Sequence, residues 1–370
     1  MGQHRGVSPQ EVRFPCGSCG ALQVYRPGST ELHCEYCGAT TPVGPAGVAG
    51  QLRELPLGEA LRQLDSTPGE QSRFTVQCEN CAAEFSFSEN HHAGRCPFCA
   101  TPVVVKPGKA RQIFPQGLIP FQISEKAALA AFDNWLAGLW FAPGKLGKST
   151  AGRQGLTGVY IPYWTYDSHT ETTYQGERGI AYQVPERVMV TENGRRVSRT
   201  RMVTKVRWAP VSGKVSRFFD DVLVGASRSL PRAITDPLGP WQLEALVPFS
   251  EAYLSGYQSE LYQVRLDEGF NTALQIIDGV IRSDIARDIG GDYQRIHHLD
   301  TRHEKTSFKH ILLPLYSSAF TFGRKNYRFV VNGQSGKVRG ERPYSPWKIA
   351  LALLAILLLA AGAMLLQGEM

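Results

Sequence analysis

The chain has 370 residues, enough for two or three domains, and its 42% share of hydrophobic residues is ordinary for a globular protein. Its formal net charge of +7 and isoelectric point near 9.0 permit contact with nucleic acid or an anionic membrane surface but require neither. The sequence lacks the Gly-x-Ser-x-Gly, His-Glu-x-x-His and Gly-x-Gly-x-x-Gly motifs, so it gives no argument for the enzyme classes built on them. We therefore expect a protein without enzymatic activity.

All eight cysteines fall into two units of the same spacing, each made of two Cys-x2-Cys pairs separated by fourteen residues. The eight are Cys16, Cys19, Cys34, Cys37, Cys78, Cys81, Cys96 and Cys99. Two thiolates at i and i+3 bind a cation from one side, and a second pair across a short hairpin completes a tetrahedral site of the kind zinc accepts. The sequence predicts two structural zinc ions per chain with no open coordination position, although four thiolates can also hold iron.

The cysteine units set the predicted boundaries of the N-terminal half. Residues 1–42 form a first zinc ribbon, residues 43–72 a linker with one short helix, and residues 73–107 a second zinc ribbon. The first fifteen residues are polar, so they do not resemble a secretory signal peptide. Reduced cysteines that carry zinc fit the cytosol better than an oxidising compartment.

Residues 108–346 predict one larger α+β domain with a mainly antiparallel sheet. Ser124 is placed to cap one amphipathic helix, and a second amphipathic helix runs from Asp267 to Ile289. Segments with a period of two follow Gly158, and Asn193-Gly194 between two such segments predicts a tight hairpin.

The segment from Ile349 to Leu366 contains eighteen residues without a charged or polar side chain. At about 1.5 Å per residue this gives about 27 Å of helix, close to the roughly 30 Å of bilayer hydrocarbon. Residues 347–367 therefore predict one transmembrane helix, with basic residues before it and none after it. This charge distribution predicts a single-pass protein of the inner membrane with the bulk of the chain in the cytoplasm.

Arginine is frequent between positions 178 and 232. Arg195, Arg196, Arg199 and Arg201 lie close to the predicted hairpin turn and form a candidate binding patch for the phosphates of nucleic acid. Two other interpretations stay open: the hairpin is simply solvated, or it lies against anionic lipid headgroups.

Three further stretches carry a resemblance to a known family. They are residues 158–167 (GVYIPYWTYD), 174–179 (YQGERG) and 331–345 (VNGQSGKVRGERPYS). With the paired ribbons, they resemble the bacterial transcription-factor-IIB-type zinc-ribbon proteins, also labelled primosomal protein N′ (replication factor Y), superfamily II helicase. The resemblance implies a zinc-binding membrane protein. A helicase motor is not expected, because the loose P-loop match at residues 142–149 follows a tryptophan-rich helix rather than a buried strand.

Together these features favour a membrane-anchored zinc protein that faces the cytoplasm and serves as an interaction scaffold or adaptor through its paired ribbons. The expected partners are the membrane and an unidentified protein. The alternative is a nucleic-acid-binding, DNA-binding protein related to the replication label, with the hairpin arginines as its contact. Neither interpretation includes helicase or ATPase activity.

Overall fold

The computed structural model of the protein describes residues 14–21, 23–43, 52–66, 75–77, 83–86, 93–95, 98, 102–104, 113–143, 156–192, 195–260, 262–322 and 325–368. Within these ranges the chain folds around one large, mainly antiparallel sheet. A small N-terminal sheet docks against this body, and helices pack on it.

The N-terminal sheet, called the first ribbon below, has three antiparallel strands. They are β1 Val24–Tyr25, β2 Glu31–His33 and β3 Thr40–Pro42, in the order β1-β2-β3. The side chains of Tyr25 and Leu32 are buried in the same hydrophobic cluster as Phe121 and Tyr160 of the main body. The first ribbon therefore shares a core with the rest of the protein.

The segment after the first ribbon joins the main sheet through β4 Leu55–Pro56, and α1 Leu57–Ser66 follows directly. The next strands form two antiparallel pairs, β5 Thr75–Gln77 with β6 Glu84–Ser86 and β7 Ala93–Arg95 with β8 Pro102–Val104. Ala83 and Phe98 from this region are buried in a cluster with Ile161 of the main sheet. This part of the chain is thus also packed onto the main body.

Three very long strands dominate the main sheet. Besides β4, its strands are β9 Gly117–Leu118, β10 Thr157–Glu192, β11 Arg195–Gly225, β12 Val247–Pro248, β13 Gln258–Ser259, β14 Tyr293–Phe322, β15 Lys325–Asn332 and β16 Val338–Gly340. The main path runs in the order β11-β10-β14-β15-β16, and every pairing along it is antiparallel. The register of β10 against β14 shifts at Gln175 and Gly176, where a Cβ on the glycine would overlap the carbonyl oxygen of Arg295.

Strand register confirms the predicted hairpin. Glu192 pairs with Arg195, which leaves two residues for the turn between β10 and β11. The pairing of β10 with β14 ends at Gly179 opposite Tyr293, whereas its pairing with β11 continues to the turn. We call this two-stranded extension, residues 180–192 and 195–207, the arm. At about 3.3 Å per residue the arm is about 40 Å long.

Helices cover other parts of the sheet. They are α2 Glu125–Ala137, α3 Arg232–Thr235 and α4 Leu266–Ile289, with the 3-10 segments Asp236–Leu238, Leu243–Ala245 and Glu251–Leu254. Ser124 caps α2 as predicted, and its Oγ accepts a hydrogen bond from the N–H of Ala127 at 3.3 Å. The predicted second helix is α4, which ends before Gly290 at a φ of 66°. Ile277 and Ile285 lie on its buried face against the long strands.

The last helix, α5 Pro346–Gly368, departs from the sequence-based prediction. Among the residues that the structure describes, no helix is both long and apolar enough to cross a bilayer. The predicted transmembrane helix at residues 347–367 is therefore wrong, and so is the single-pass inner-membrane location derived from it.

Lys348 illustrates the difference. The sequence placed its ammonium group at a membrane surface, beside the start of the apolar run. In the structure its Nζ donates to the carbonyl oxygens of Trp140 and Ala142, at 3.1 and 2.8 Å. The ammonium group thus ties the start of α5 to the segment that follows α2.

Candidate metal centre

Two backbone turns of the same shape present the four cysteines of the first ribbon. In the first, the N–H of Gly20 donates to the carbonyl oxygen of Cys16 at 2.8 Å, and in the second the N–H of Gly38 donates to that of Cys34 at 2.9 Å. The φ angles of the two glycines are 74° and 75°, a conformation that residues with a side chain seldom adopt. The sequence carries the signal for this geometry, because a glycine directly follows Cys19 and Cys37.

The four sulfurs converge on one point. Sγ of Cys16 lies 3.5 Å from Sγ of Cys37, and Sγ of Cys19 lies 3.5 Å from Sγ of Cys34. All four sulfurs lie within 4.8 Å of one another. With Zn–S bonds of about 2.3 Å, the edges of a tetrahedral four-sulfur site are about 3.8 Å, so the cluster fits a zinc ion. The four thiols are free, and their sulfurs are too far apart for disulfides, whose bond is about 2.05 Å.

Backbone amides favour the charged form of two of the thiols. Hydrogen bonds from the N–H groups of Ser18 and Cys19 lower the pKa of Cys16 to about 6. The N–H groups of Cys37 and Tyr36 lower the pKa of Cys34 in the same way, the first more strongly than the second. Each turn therefore aims its amides at its own first sulfur, which supports a thiolate there.

The other two thiols have the opposite tendency. An N–H group of Ala21 favours the Cys19 thiolate, but the sulfur of Cys37 and burial outweigh it and raise the pKa of Cys19 to about 12. The pKa of Cys37 is also raised, although the N–H of Ala39 and the sulfur of Cys19 oppose the effect of the sulfur of Cys16. Four thiolates crowded together need a cation between them, and a coordinating metal ion deprotonates its thiols.

A centre of this kind holds structure together and leaves no position for a substrate. Four cysteine sulfurs complete the tetrahedral coordination shell of a zinc or iron ion. An ion here would link the turn before β1 to the turn between β2 and β3. The second cysteine unit, Cys78, Cys81, Cys96 and Cys99, lies outside the described residues. The predicted count of two ions therefore rests on the sequence alone.

Several hydrogen bonds fix the first ribbon to the main body. The N–H of Tyr25 donates to the carbonyl oxygen of Ser255 at 2.9 Å, and Oγ of Ser255 donates to the carbonyl oxygen of Gln23 at 2.6 Å. On the other side, the N–H of Gly28 donates to the carbonyl oxygen of Phe121 at 2.8 Å. The cysteine cluster is thus held at a defined place beside the main sheet.

The candidate arginine patch is divided between the two faces of the arm. Side chains alternate along a strand, so Arg199 and Arg201 of β11 lie on one face and Arg196 lies on the other. All three are exposed. The backbone of Arg195 belongs to β11, but its side chain lies outside those described. The binding of phosphates by these four arginines stays a prediction from the sequence.

The structure also contains a buried ionic cluster that the sequence analysis missed. Nζ of Lys309 lies 2.8 Å from Asp221, 3.2 Å from Glu54 and 3.7 Å from Asp167. Burial opposes the charge of Lys309, but these carboxylates hold its pKa above the usual range. Burial also raises the pKa of Asp167 to about 6, although the N–H of Asp221 and Lys309 act against it. The cluster joins β10, β11 and β14 to the segment before β4, and these distant positions share no motif.

The chain resembles one curated protein, the uncharacterized protein YdjG of Bacillus subtilis (strain 168), with 28% identity over 241 residues. The similar region covers 64% of this chain and 66% of that protein, just under two thirds of its length. No family model matches the chain, and no solved structure matches it. The resemblance to the zinc-ribbon family therefore stays a prediction from the sequence.

Proposed function

We propose that the chain is a metal-stabilised interaction scaffold, a binding protein rather than an enzyme, and that the arm is the surface that contacts its partner. The four-cysteine centre and the hydrogen bonds of the first ribbon stabilise the body. The observation that carries the proposal is the arm itself, which extends about 40 Å beyond the last pairing of β10 with β14.

Ordering the arm costs free energy that its own contacts recover poorly. Ordering a residue costs about 1–2 kcal/mol of backbone entropy, and an isolated two-stranded hairpin is marginally stable in water. The arm also exposes apolar side chains, with Met189 at 65% and Met202 at 54% exposed. A surface that is ordered, long and partly apolar is typical of a site that a partner covers.

Site-specific photo-crosslinking in cells tests the proposal. A photo-reactive amino acid would replace Met189 on the arm, Tyr36 on the first ribbon (85% exposed), or Ile276 of α4 (42% exposed). We expect a reproducible adduct from position 189, either with a protein of defined size or with nucleic acid that nuclease digestion trims, and none from position 276.

Two outcomes would overturn the proposal. One is equal labelling from positions 189 and 276, which would mean that the arm meets only random neighbours. The other is a defined adduct from position 36 alone, which would place the partner on the first ribbon. Matched metal content of the three proteins verifies that each carries an intact four-cysteine centre.

A further inference from the structure

The arm carries a large excess of positive charge. Its basic residues outnumber its two acidic ones, Glu186 and Glu192. The basic residues are Arg187, Arg195, Arg196, Arg199, Arg201, Lys205 and Arg207. A partner that covers this surface must supply negative charge along about 40 Å, which a polyanion does.

Strand geometry orders these charges. Arg199, Arg201, Lys205 and Arg207 occupy odd-numbered positions of β11, so they form one stripe on a single face, about 27 Å long at 3.3 Å per residue, with Glu186 of β10 opposite Arg201. The guanidinium of Arg207 lies 5.6 Å from the ring centre of Tyr182, on the opposite strand of the same face. No register shift interrupts this part of the hairpin, so the alternation holds along the whole stripe.

The edges of the arm disfavour a partner that adds a strand. Pro185 in β10 has no N–H to offer a neighbouring strand, and Pro210 at the base of β11 is limited in the same way. Charged side chains along an edge also discourage strand addition. The arm therefore contacts its partner through side chains rather than through backbone hydrogen bonds.

A flat lipid surface also fits the arm poorly. Two-stranded ribbons twist strongly, so a stripe on one face winds around the arm instead of lying in a plane. Arg187 and Arg196 add positive charge on the opposite face, away from any surface that contacts the stripe. A groove, in contrast, places negative charge on both sides of an inserted ribbon.

We propose that the arm, as the interaction surface of the proposed function, lies in the major groove of double-helical DNA. The major groove of B-form DNA is about 12 Å wide and admits a two-stranded β-ribbon, with phosphates along both walls. The major groove of A-form RNA is too narrow for side chains to enter, so an RNA duplex is excluded as the preferred partner.

Salt-dependent binding of the full chain to a DNA duplex of about 30 base pairs tests the inference. If the four stripe residues, Arg187 and Arg196 each contact one phosphate, the slope of log K against log salt is about −5.4. The dissociation constant then rises about 1,800-fold between about 50 and about 200 mM salt.

The decisive variant combines Arg199→Gln, Arg201→Gln and Lys205→Gln. It removes three of the six contacts, so we expect the slope to weaken to about −2.7 and the loss of affinity over the same salt range to about 40-fold. The matched control combines Arg62→Gln, Lys126→Gln and Arg282→Gln, three exposed basic residues outside the arm. The control variant loses the same three positive charges as the arm variant, and we expect its salt slope to equal that of the unmodified protein.

Competition with groove-binding compounds shows which groove of DNA the arm occupies, and binding to other polyanions tests whether DNA is the preferred partner. Methyl green, which occupies the major groove, should displace the protein, whereas netropsin in the minor groove should not. Equal affinity for single-stranded DNA or an RNA duplex, tighter binding to vesicles of anionic lipid, or an unchanged slope in the arm variant would each overturn the inference. A defined crosslink from position 189 together with any of these results would keep the scaffold function and remove DNA as its partner.

Discussion

The backbone N–H of Tyr25 in the first ribbon donates to the carbonyl oxygen of Ser255, 230 residues later in the chain, at 2.9 Å. The ring of Tyr25 also packs edge-on against Tyr253, with ring centres 5.1 Å apart. The ribbon that carries the four cysteines is thereby part of the same cooperative body as the long sheet.

This contact leads to a prediction about metal removal. Because Tyr25 and Leu32 share the main core, chelation should lower the melting temperature of the whole body rather than release the ribbon alone. An ion present at a hundredfold excess over its dissociation constant stabilises the folded state by about 2.7 kcal/mol. At about 2–4 °C per kcal/mol this amounts to about 5–10 °C. Calorimetry with and without chelator measures the shift, and an unchanged main transition would contradict it.

Zinc content separates the two cysteine units. Elemental analysis should give about two zinc ions per chain for the unmodified protein, about one for Cys16→Ser with Cys19→Ser, and about one for Cys78→Ser with Cys81→Ser. Each pair of substitutions serves as the control for the other. A single ion in the unmodified protein, lost only with the first pair, would mean that the second unit holds no metal. Iron at either site would be visible as colour.

Two glycines provide a matched pair for testing the long sheet. An alanine at Gly176 would push its Cβ against the carbonyl oxygen of Arg295 at the register shift, so we expect Gly176→Ala to destabilise the fold by about 1–3 kcal/mol. At Gly279 in α4 a Cβ meets open space, and Gly279→Ala should stabilise by up to about 1 kcal/mol. Chemical denaturation measures both free energies of unfolding. Similar values for the two variants would argue against the register shift at Gly176.

The lowered pKa of buried His310 leads to a prediction about how the stability of the fold depends on pH. Burial lowers the pKa of His310 to about 4, and its Nδ1 lies 2.7 Å from the carbonyl oxygen of Ile113, which requires the proton on that nitrogen. In the unfolded chain the pKa is about 6.5, so below that pH the unfolded state binds more protons. The contribution of neutral His310 is therefore complete above about pH 6.5 and falls by about 3 kcal/mol as the pH drops to about 4.

A comparison with His310→Asn isolates this effect from the other titrating groups. The substitution keeps an N–H donor and removes the titration, so its free energy of unfolding should decline less steeply between about pH 6.5 and about pH 4. Parallel curves for the two proteins over this range would contradict the prediction.

The sequence predicted the parts of this fold that depend on local signals. The Asn193-Gly194 pair predicted a tight hairpin, and the pairing of Glu192 with Arg195 agrees with this prediction. Cysteine spacing identified the two turns that bring Cys16, Cys19, Cys34 and Cys37 together, and each turn has a glycine of positive φ directly after its second cysteine. The end of α4 before Gly290 was predicted from the same kind of local rule.

The length of the strands could not be predicted in the same way. Gly176, Gly179 and Pro185 all interrupt a strand pattern in the sequence, yet β10 continues through all three because it pairs with β11 along the whole stretch. Tertiary pairing here overrides local preference. The docking of the ribbon through Ser255, and the meeting of Lys309 with Glu54, depend on contacts between distant positions that no local pattern records.

The error at the C-terminus has a different origin. The transmembrane prediction for residues 347–367 rested on composition alone. Composition does not show that the ammonium group of Lys348 donates hydrogen bonds to the carbonyl oxygens of Trp140 and Ala142. The arginines near the turn show the same limit, since Arg196 lies on the opposite face of β11 from Arg199 and Arg201, and their closeness in the sequence does not record this.

The continuity of β10 and β11 from the core to the tip has a mechanical consequence. A load applied at the tip along the arm acts parallel to the strands, so the ladder that joins β10 to β14 resists it in shear, with its hydrogen bonds loaded together rather than opened one after another. A load across the arm instead bends a ribbon only two strands wide, beginning where β14 stops pairing at Gly179. The arm is therefore stiff along its length and compliant sideways. The direction of a load at the tip therefore decides whether the strain reaches the core or stays within the arm.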